Sequence, residues 1–159
     1  KKSTGDSLSA NLSTTSIQAS LDKFKGSKDS FARLVISKLP LPDEAQRKQT
    51  LVRFFLSEED LSSVPSSFYA ESAFKLPEYV GSHSYFPMGR HHGQAPSDRV
   101  EAGFDVTALL RQKLKTAAPS TLSLLALAVN TKDWGKGVSI FSAYTDAELS
   151  LQQSLLELT

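Results

Sequence analysis

Thr50-Leu51-Val52-Arg53-Phe54-Phe55-Leu56 decides the fold class. In an extended chain successive side chains point to opposite sides, so Val52, Phe54 and Leu56 share one face while Arg53 and Phe55 take the other. That alternation marks a strand of an antiparallel sheet. Outward from it, short apolar segments bounded by Pro, Gly, Ser and Asp recur at 33–39, 79–86, 100–106, 121–130 and 138–144. Leu34 and Ile36 alternate in the first of these. Strands at such spacing are the mark of an all-β domain. Between Val106 and Thr121, Leu109, Leu110 and Leu114 fall on one helical face, with Asp105 or Thr107 as the N-cap and Pro119 as the stop. Gly135-Lys136-Gly137 forms a turn after Trp134, and residues 146–158 add either an edge strand or a terminal amphipathic helix. The expected architecture is mainly β: an antiparallel, jelly-roll-like β-sandwich of two sheets face to face, with one short helix and an irregular N-terminal linker.

Residues 1–30 are rich in Ser, Thr, Lys and Gly and read as that linker, leaving 31–159 as the sandwich domain. Within the linker, Ile17, Leu21 and Phe24 recur at helical spacing, as for an amphipathic turn that docks on the body. A chain of 159 residues suits one domain with a sizeable core. Its 18 basic and 17 acidic residues give no electrostatic footprint for nucleic acid or an anionic membrane. The longest apolar run, Leu122 to Val129, is strand-sized, so the chain is expected to be soluble. The lack of cysteine removes disulfides and thiolate chemistry and favours a reducing, cytoplasmic-type compartment. A start at Lys1-Lys2 suggests a cleaved piece of a longer protein.

Chemistry concentrates in 81–92, Gly81-Ser82-His83-Ser84-Tyr85-Phe86-Pro87-Met88-Gly89-Arg90-His91-His92, which holds all three histidines and the single methionine. Imidazole and thioether are copper-type ligands, yet a paired-copper enzyme needs about six imidazoles. Such a chain can serve a copper site without containing one. His83, Met88, His91 and His92 are the candidate set for copper in transit; alternatively the three histidines provide pH sensitivity, since their protonation in mild acid would put positive charge at any interface they enter. Glu58-Glu59-Asp60 reads as a solvated turn rather than an acid/base pair, and no Gly-x-Ser-x-Gly elbow supports a hydrolase. Trp134 reads as a cover over a sheet edge.

Three segments carry a family resemblance: Gly81-Ser82 followed by the strand to Phe86-Pro87, the run Asp98-Arg99-Val100-Glu101-Ala102-Gly103-Phe104-Asp105-Val106-Thr107-Ala108-Leu109-Leu110, and the long apolar strand 121–130. In this order they resemble the C-terminal domain of plant polyphenol oxidases and tyrosinases, and the matching β-sandwich domain of molluscan haemocyanin units. The resemblance departs at His83, where the family has an aromatic, and at Tyr85-Phe86, where it has smaller aliphatics. The N-terminal stretch also lacks the lysine- and glutamate-rich tract of plant members, which argues for a bacterial or other non-plant source.

The resemblance implies a pro-domain that is not itself an enzyme. In a latent type-3 copper phenol oxidase it would cover the dinuclear copper site of a preceding catalytic domain, joined through 1–30, and be released by cleavage. The apolar placeholder entering the substrate pocket would be Phe86, with Tyr85 as the near alternative. The copper belongs to that partner domain, with at most transient copper on this chain. Two other readings stand beside it. One is a stand-alone β-sandwich binding module for carbohydrate or protein, with Tyr69, Tyr79, Tyr85 or Trp134 as its platform. The other is a copper-delivery chaperone built on Met88, His91, His92 and His83.

Overall fold

A computed structural model describes residues 2–85, 99–115, 120–142, 146–153 and 156–158. The chain is mainly β, with two antiparallel sheets packed face to face. Its strands are β1 (Lys2–Thr4), β2 (Ser7–Ser13), β3 (Ala32–Pro40), β4 (Thr50–Ser57), β5 (Tyr79–Ser84), β6 (Arg99–Asp105), β7 (Thr121–Asn130), β8 (Glu148–Gln153) and β9 (Leu156–Leu158). The first sheet runs in the order β1-β2-β7-β4-β5 and the second in the order β6-β3-β8-β9. Among the described residues three helices join them: α1 (Thr14–Gly26), α2 (Glu44–Arg47) and α3 (Thr107–Lys115). Among the described residues no helix is long and apolar enough to cross a membrane.

The alternation in β4 sets the layers. Val52, Phe54 and Leu56 point between the sheets, where they meet Leu34 and Ile36 of β3, Leu149 and Leu151 of β8, and Leu122, Leu124, Ala126 and Ala128 of β7. The other face of the first sheet is also covered. Leu125, Leu127 and Val129 of β7 and Phe55 of β4 pack with Leu61, Phe68 and Ala73 into a second core. The cover comes from the connection 58–78, which carries two 3-10 turns, Ser66–Tyr69 and Glu71–Lys75. Phe55 and Phe68 stack with centroids 4.0 Å apart. A strand buried on both faces reads as a nearly continuous apolar run, which is the pattern of β7.

Arg53 lies on this second face and is only 2% exposed. Its guanidinium donates to the carbonyls of Phe68 (2.8 Å), Ala70 (2.6 Å) and Glu71 (3.4 Å), and it sits 5.0 Å from the Trp134 ring centre. A buried guanidinium must fill its donor sites, and the turn carbonyls fill them here. Desolvation lowers its pKa, though arginine starts so high that it stays charged.

Two expectations change. The stretch 1–30, expected to be irregular, carries β1, β2 and α1, and β2 pairs along its whole length with the central strand β7. Few apolar residues suffice because β2 contributes alternate ones, Leu8 and Leu12, while α1 contributes Leu21 and Phe24. The segment expected as a strand over 138–144 forms none among its described residues: after an isolated bridge of Gly137 to Val129 the chain turns, with Val138, Ile140 and Phe141 packed into the main core. The alternative left open at 146–158 resolves to β8 and β9, with β8 inside the sheet between β3 and β9.

Candidate functional site at the Pro40 end of the sandwich

The candidate residues enter through β5, which among the described residues pairs only with β4 and ends the first sheet. Gly81 is required there. A Cβ on it would fall 2.5 Å from Cδ1 of Phe104 on β6, so the absence of a side chain lets the edges of the two sheets close on each other. Phe104 in turn packs against Phe54, with centroids 4.9 Å apart. Two segments of the sequence signature, Gly81-Ser82 and the run 98–110, therefore meet in space.

The second of these segments also organises α3. The Asp105 carboxylate accepts from the backbone N–H of Thr107 (2.8 Å) and from its hydroxyl (2.5 Å). The Thr107 hydroxyl accepts from the Ala32 N–H (2.9 Å), tying the start of the helix to β3. Of the two N-cap candidates, Asp105 supplies the carboxylate that caps the Thr107 amide. The Thr107 hydrogen bonds hold this carboxyl below the usual range.

At the other end of β5 stand His83 and Tyr85. His83 lies opposite Val52 of β4 and is half-buried, and desolvation lowers its pKa. The Tyr85 ring meets it edge-on, with centroids 5.0 Å apart at 87°. The Tyr85 hydroxyl donates to the carbonyl of Pro40 (2.7 Å), and the ring packs against the main core. Pro40 ends β3 in the second sheet, where it lies opposite Arg99, the first residue of β6. The segment 86–98 therefore leaves from Tyr85 and returns at Arg99 beside one shared residue, Pro40. Phe86, Met88, His91 and His92 fall within 86–98 and lie outside the described residues.

The arrangement sorts the candidates. Tyr85 is tied to the sandwich body by its hydroxyl and its ring, a poor state for a side chain that must leave the domain and enter another pocket. Among the proposed copper ligands only His83 is described. Among the described residues no group of three or more His, Asp or Glu side chains is placed to hold a metal ion.

The aromatic residues named for a binding platform, Tyr69, Tyr79, Tyr85 and Trp134, are all half-buried. Tyr69, Tyr79 and Trp134 pack against the second core, and the Tyr69 hydroxyl donates to Asp6 (2.7 Å). The acidic turn 58–60 is exposed and structural: Asp60 accepts from the side-chain amide of Asn11 (2.9 Å) and from the Ser62 N–H (2.9 Å). Sequence reasoning placed Arg53 on the second face of β4 and missed its role. A cation interrupting an apolar run is the signal that could have shown it.

No family model matches the chain, and no curated protein matches it.

Proposed function

We propose that this chain is a shielding domain for a phenol-oxidising type-3 copper domain of the same precursor, with Phe86 as the apolar placeholder. The observation that carries the reading is the common root of 86–98 at Pro40. Tyr85 and Arg99 both lie at Pro40 on a β-sandwich fixed by two cores, and the sequence between them holds Phe86, Met88 and the His91-His92 pair. Rigid roots cut the ordering cost of inserting a side chain into a partner's pocket. The contact of Gly81 with Phe104 adds support, because it gives a physical reason for two segments of the motif order on which the resemblance rests. Engagement of Tyr85 with Pro40 leaves Phe86 as the placeholder, and the domain itself performs no chemistry. Joined to its partner, it acts at the effective concentration of a tethered inhibitor.

The test is phenol oxidation by the uncleaved, copper-loaded precursor. Phe86→Ala raises activity without proteolysis, whereas Tyr85→Phe, which removes only the hydroxyl, leaves latency largely intact. Unchanged latency after both Phe86→Ala and Tyr85→Ala overturns the placeholder.

A further inference from the structure

Along its pairing with β6, strand β3 carries one residue too many. Residues 33–36 pair with 105–102 in unbroken register, and Leu39 and Pro40 pair with Val100 and Arg99, so Ser37 and Lys38 together stand opposite Glu101. Two residues against one make a β-bulge, which bends its strand and increases the local twist. On the other side of β3 the register with β8 is regular from Ala32 to Ser37. Lys38 holds a left-handed backbone with φ 57°, and among the described residues it is the only one besides glycine with a positive φ. An L-residue takes this conformation at a cost, because its Cβ crowds the following carbonyl oxygen.

The core does not ask for the extra residue. Leu34, Ile36 and Leu39 face inward, and the residues opposite them, Phe104, Ala102 and Val100, belong to the same core. Without Lys38, Ser37 alone would stand opposite Glu101, and Leu39 would follow Ile36 onto the inward face by ordinary alternation, still opposite Val100. A regular ladder one residue shorter would bury the same side chains. A strained bulge that packing does not require points to the geometry beyond it.

Beyond it lies Pro40. Tyr85 follows β5 of the first sheet, and Arg99 begins β6 of the second, so the two roots of 86–98 belong to different sheets. Pro40 joins them: its carbonyl accepts from the Tyr85 hydroxyl (2.7 Å), and it pairs with Arg99. A bend just before Pro40 therefore sets how one root sits against the other.

We infer that Lys38 is a positioning residue: its bulge aims the Pro40 corner, and with it the end of the domain that docks on the copper partner. The inference rests on the shielding reading. The device is backbone shape rather than one hydrogen bond, so Tyr85→Phe leaves it in place.

Deletion of Lys38 tests it, since the core keeps its pattern. In the whole chain the thermal midpoint stays at or above that of wild type, while the nuclear Overhauser contacts between the Tyr85 ring and Pro40 disappear. In the uncleaved, copper-loaded precursor, phenol oxidation rises about tenfold without proteolysis, because the docking end is no longer held in its bound shape. Lys38→Gly keeps the extra residue, adopts the left-handed backbone freely and stays latent. Where the deletion folds poorly, Lys38→Val replaces it, because a β-branched residue opposes a positive φ at unchanged chain length. Tyr85–Pro40 contacts that survive removal of the bulge overturn the inference. A Lys38→Gly precursor as active as the deletion also overturns it, by assigning the effect to the ammonium. Latency unchanged by the deletion but released by Phe86→Ala overturns the inference and leaves the shielding reading standing, whereas latency unchanged by either overturns both.

Discussion

The outer faces of the two sheets differ in what covers them. On the first sheet the face bearing Leu51, Arg53 and Phe55 is roofed by 58–78 and is as dry as the space between the sheets. On the second sheet the corresponding face carries exposed Arg33, Glu101, Asp105 and Glu148, with Gln152 half-buried, around a buried centre of Val35 and Ser150. Sheets of this kind commonly bury one face and solvate the other, and the second sheet follows that rule around its margins, with only Val35 and Ser150 covered at the centre among the described residues. The first departs from it because its centre, β7, is apolar on both faces and needs a second cover. Arg53 makes that cover specific, since its guanidinium holds three carbonyls of irregular chain that have no sheet to pair with.

The sharpest way to break this comparison is to truncate one residue on each outer face. Phe55→Ala removes the ring stacked on Phe68 and costs about 4 kcal/mol in urea unfolding, the usual range for a buried phenylalanine. Arg33→Ala on the exposed face changes stability by about 0.5 kcal/mol or less. Similar losses at the two sites would mean that the second core is not a core. Arg53→Met comes next. It keeps much of the side-chain volume but removes the guanidinium donor from three carbonyls, of which that of Ala70 retains the Ala73 N–H, for a loss of about 3 kcal/mol. Proteolytic cutting within 66–75 should rise with it, and a variant that stays uncut would show that apolar packing alone holds the roof.

The sequence disclosed the sandwich through alternation. Strands β3, β4, β6 and β7 lie within a residue or two of where their patterns put them, because each presents a full apolar face to the main core. What it concealed depends on cover supplied from far away. The roof 58–78 has no period of two or 3.6 residues, since its apolar members Leu61, Phe68 and Ala73 sit in irregular chain and 3-10 turns. The N-terminal strands were hidden for the opposite reason: Leu8 and Leu12 are sparse apolar residues among Ser and Asn, and pairing with β7 supplies the order that their composition lacks. Of the site, the end of β5 was legible as a cluster of aromatic and imidazole groups. The role of Pro40 was not, because a carbonyl acceptor 45 residues away leaves no trace in side-chain chemistry.

Gly81→Ala sharpens the comparison at the flank where the two sheets meet. The new methyl would fall 2.5 Å from the Phe104 ring, so one edge must shift, at a cost of about 2 kcal/mol. Adding Phe104→Leu in the same chain should recover part of the loss, and no recovery would place the strain elsewhere.

Tyr69→Phe is the smallest of these changes and it separates the roof's hydrogen bond from its packing. The Tyr69 hydroxyl donates to Asp6 in the β1–β2 turn, joining the roof to the N-terminal strands, and its removal costs about 1 kcal/mol at neutral pH. Desolvation, with Asp6 alongside, raises the pKa of this phenol above the ordinary value of about 10. The unfolded chain thus releases the proton first as pH rises. Stability contributed by the neutral phenol is fully present below about pH 10 and declines from there toward the folded-state value. The difference in unfolding free energy between wild type and Tyr69→Phe should therefore be constant through neutral pH and narrow above about pH 10. A gap that widens with alkali would reverse the sign of the linkage, and the bond to Asp6 would then not be what ties the roof to β1 and β2.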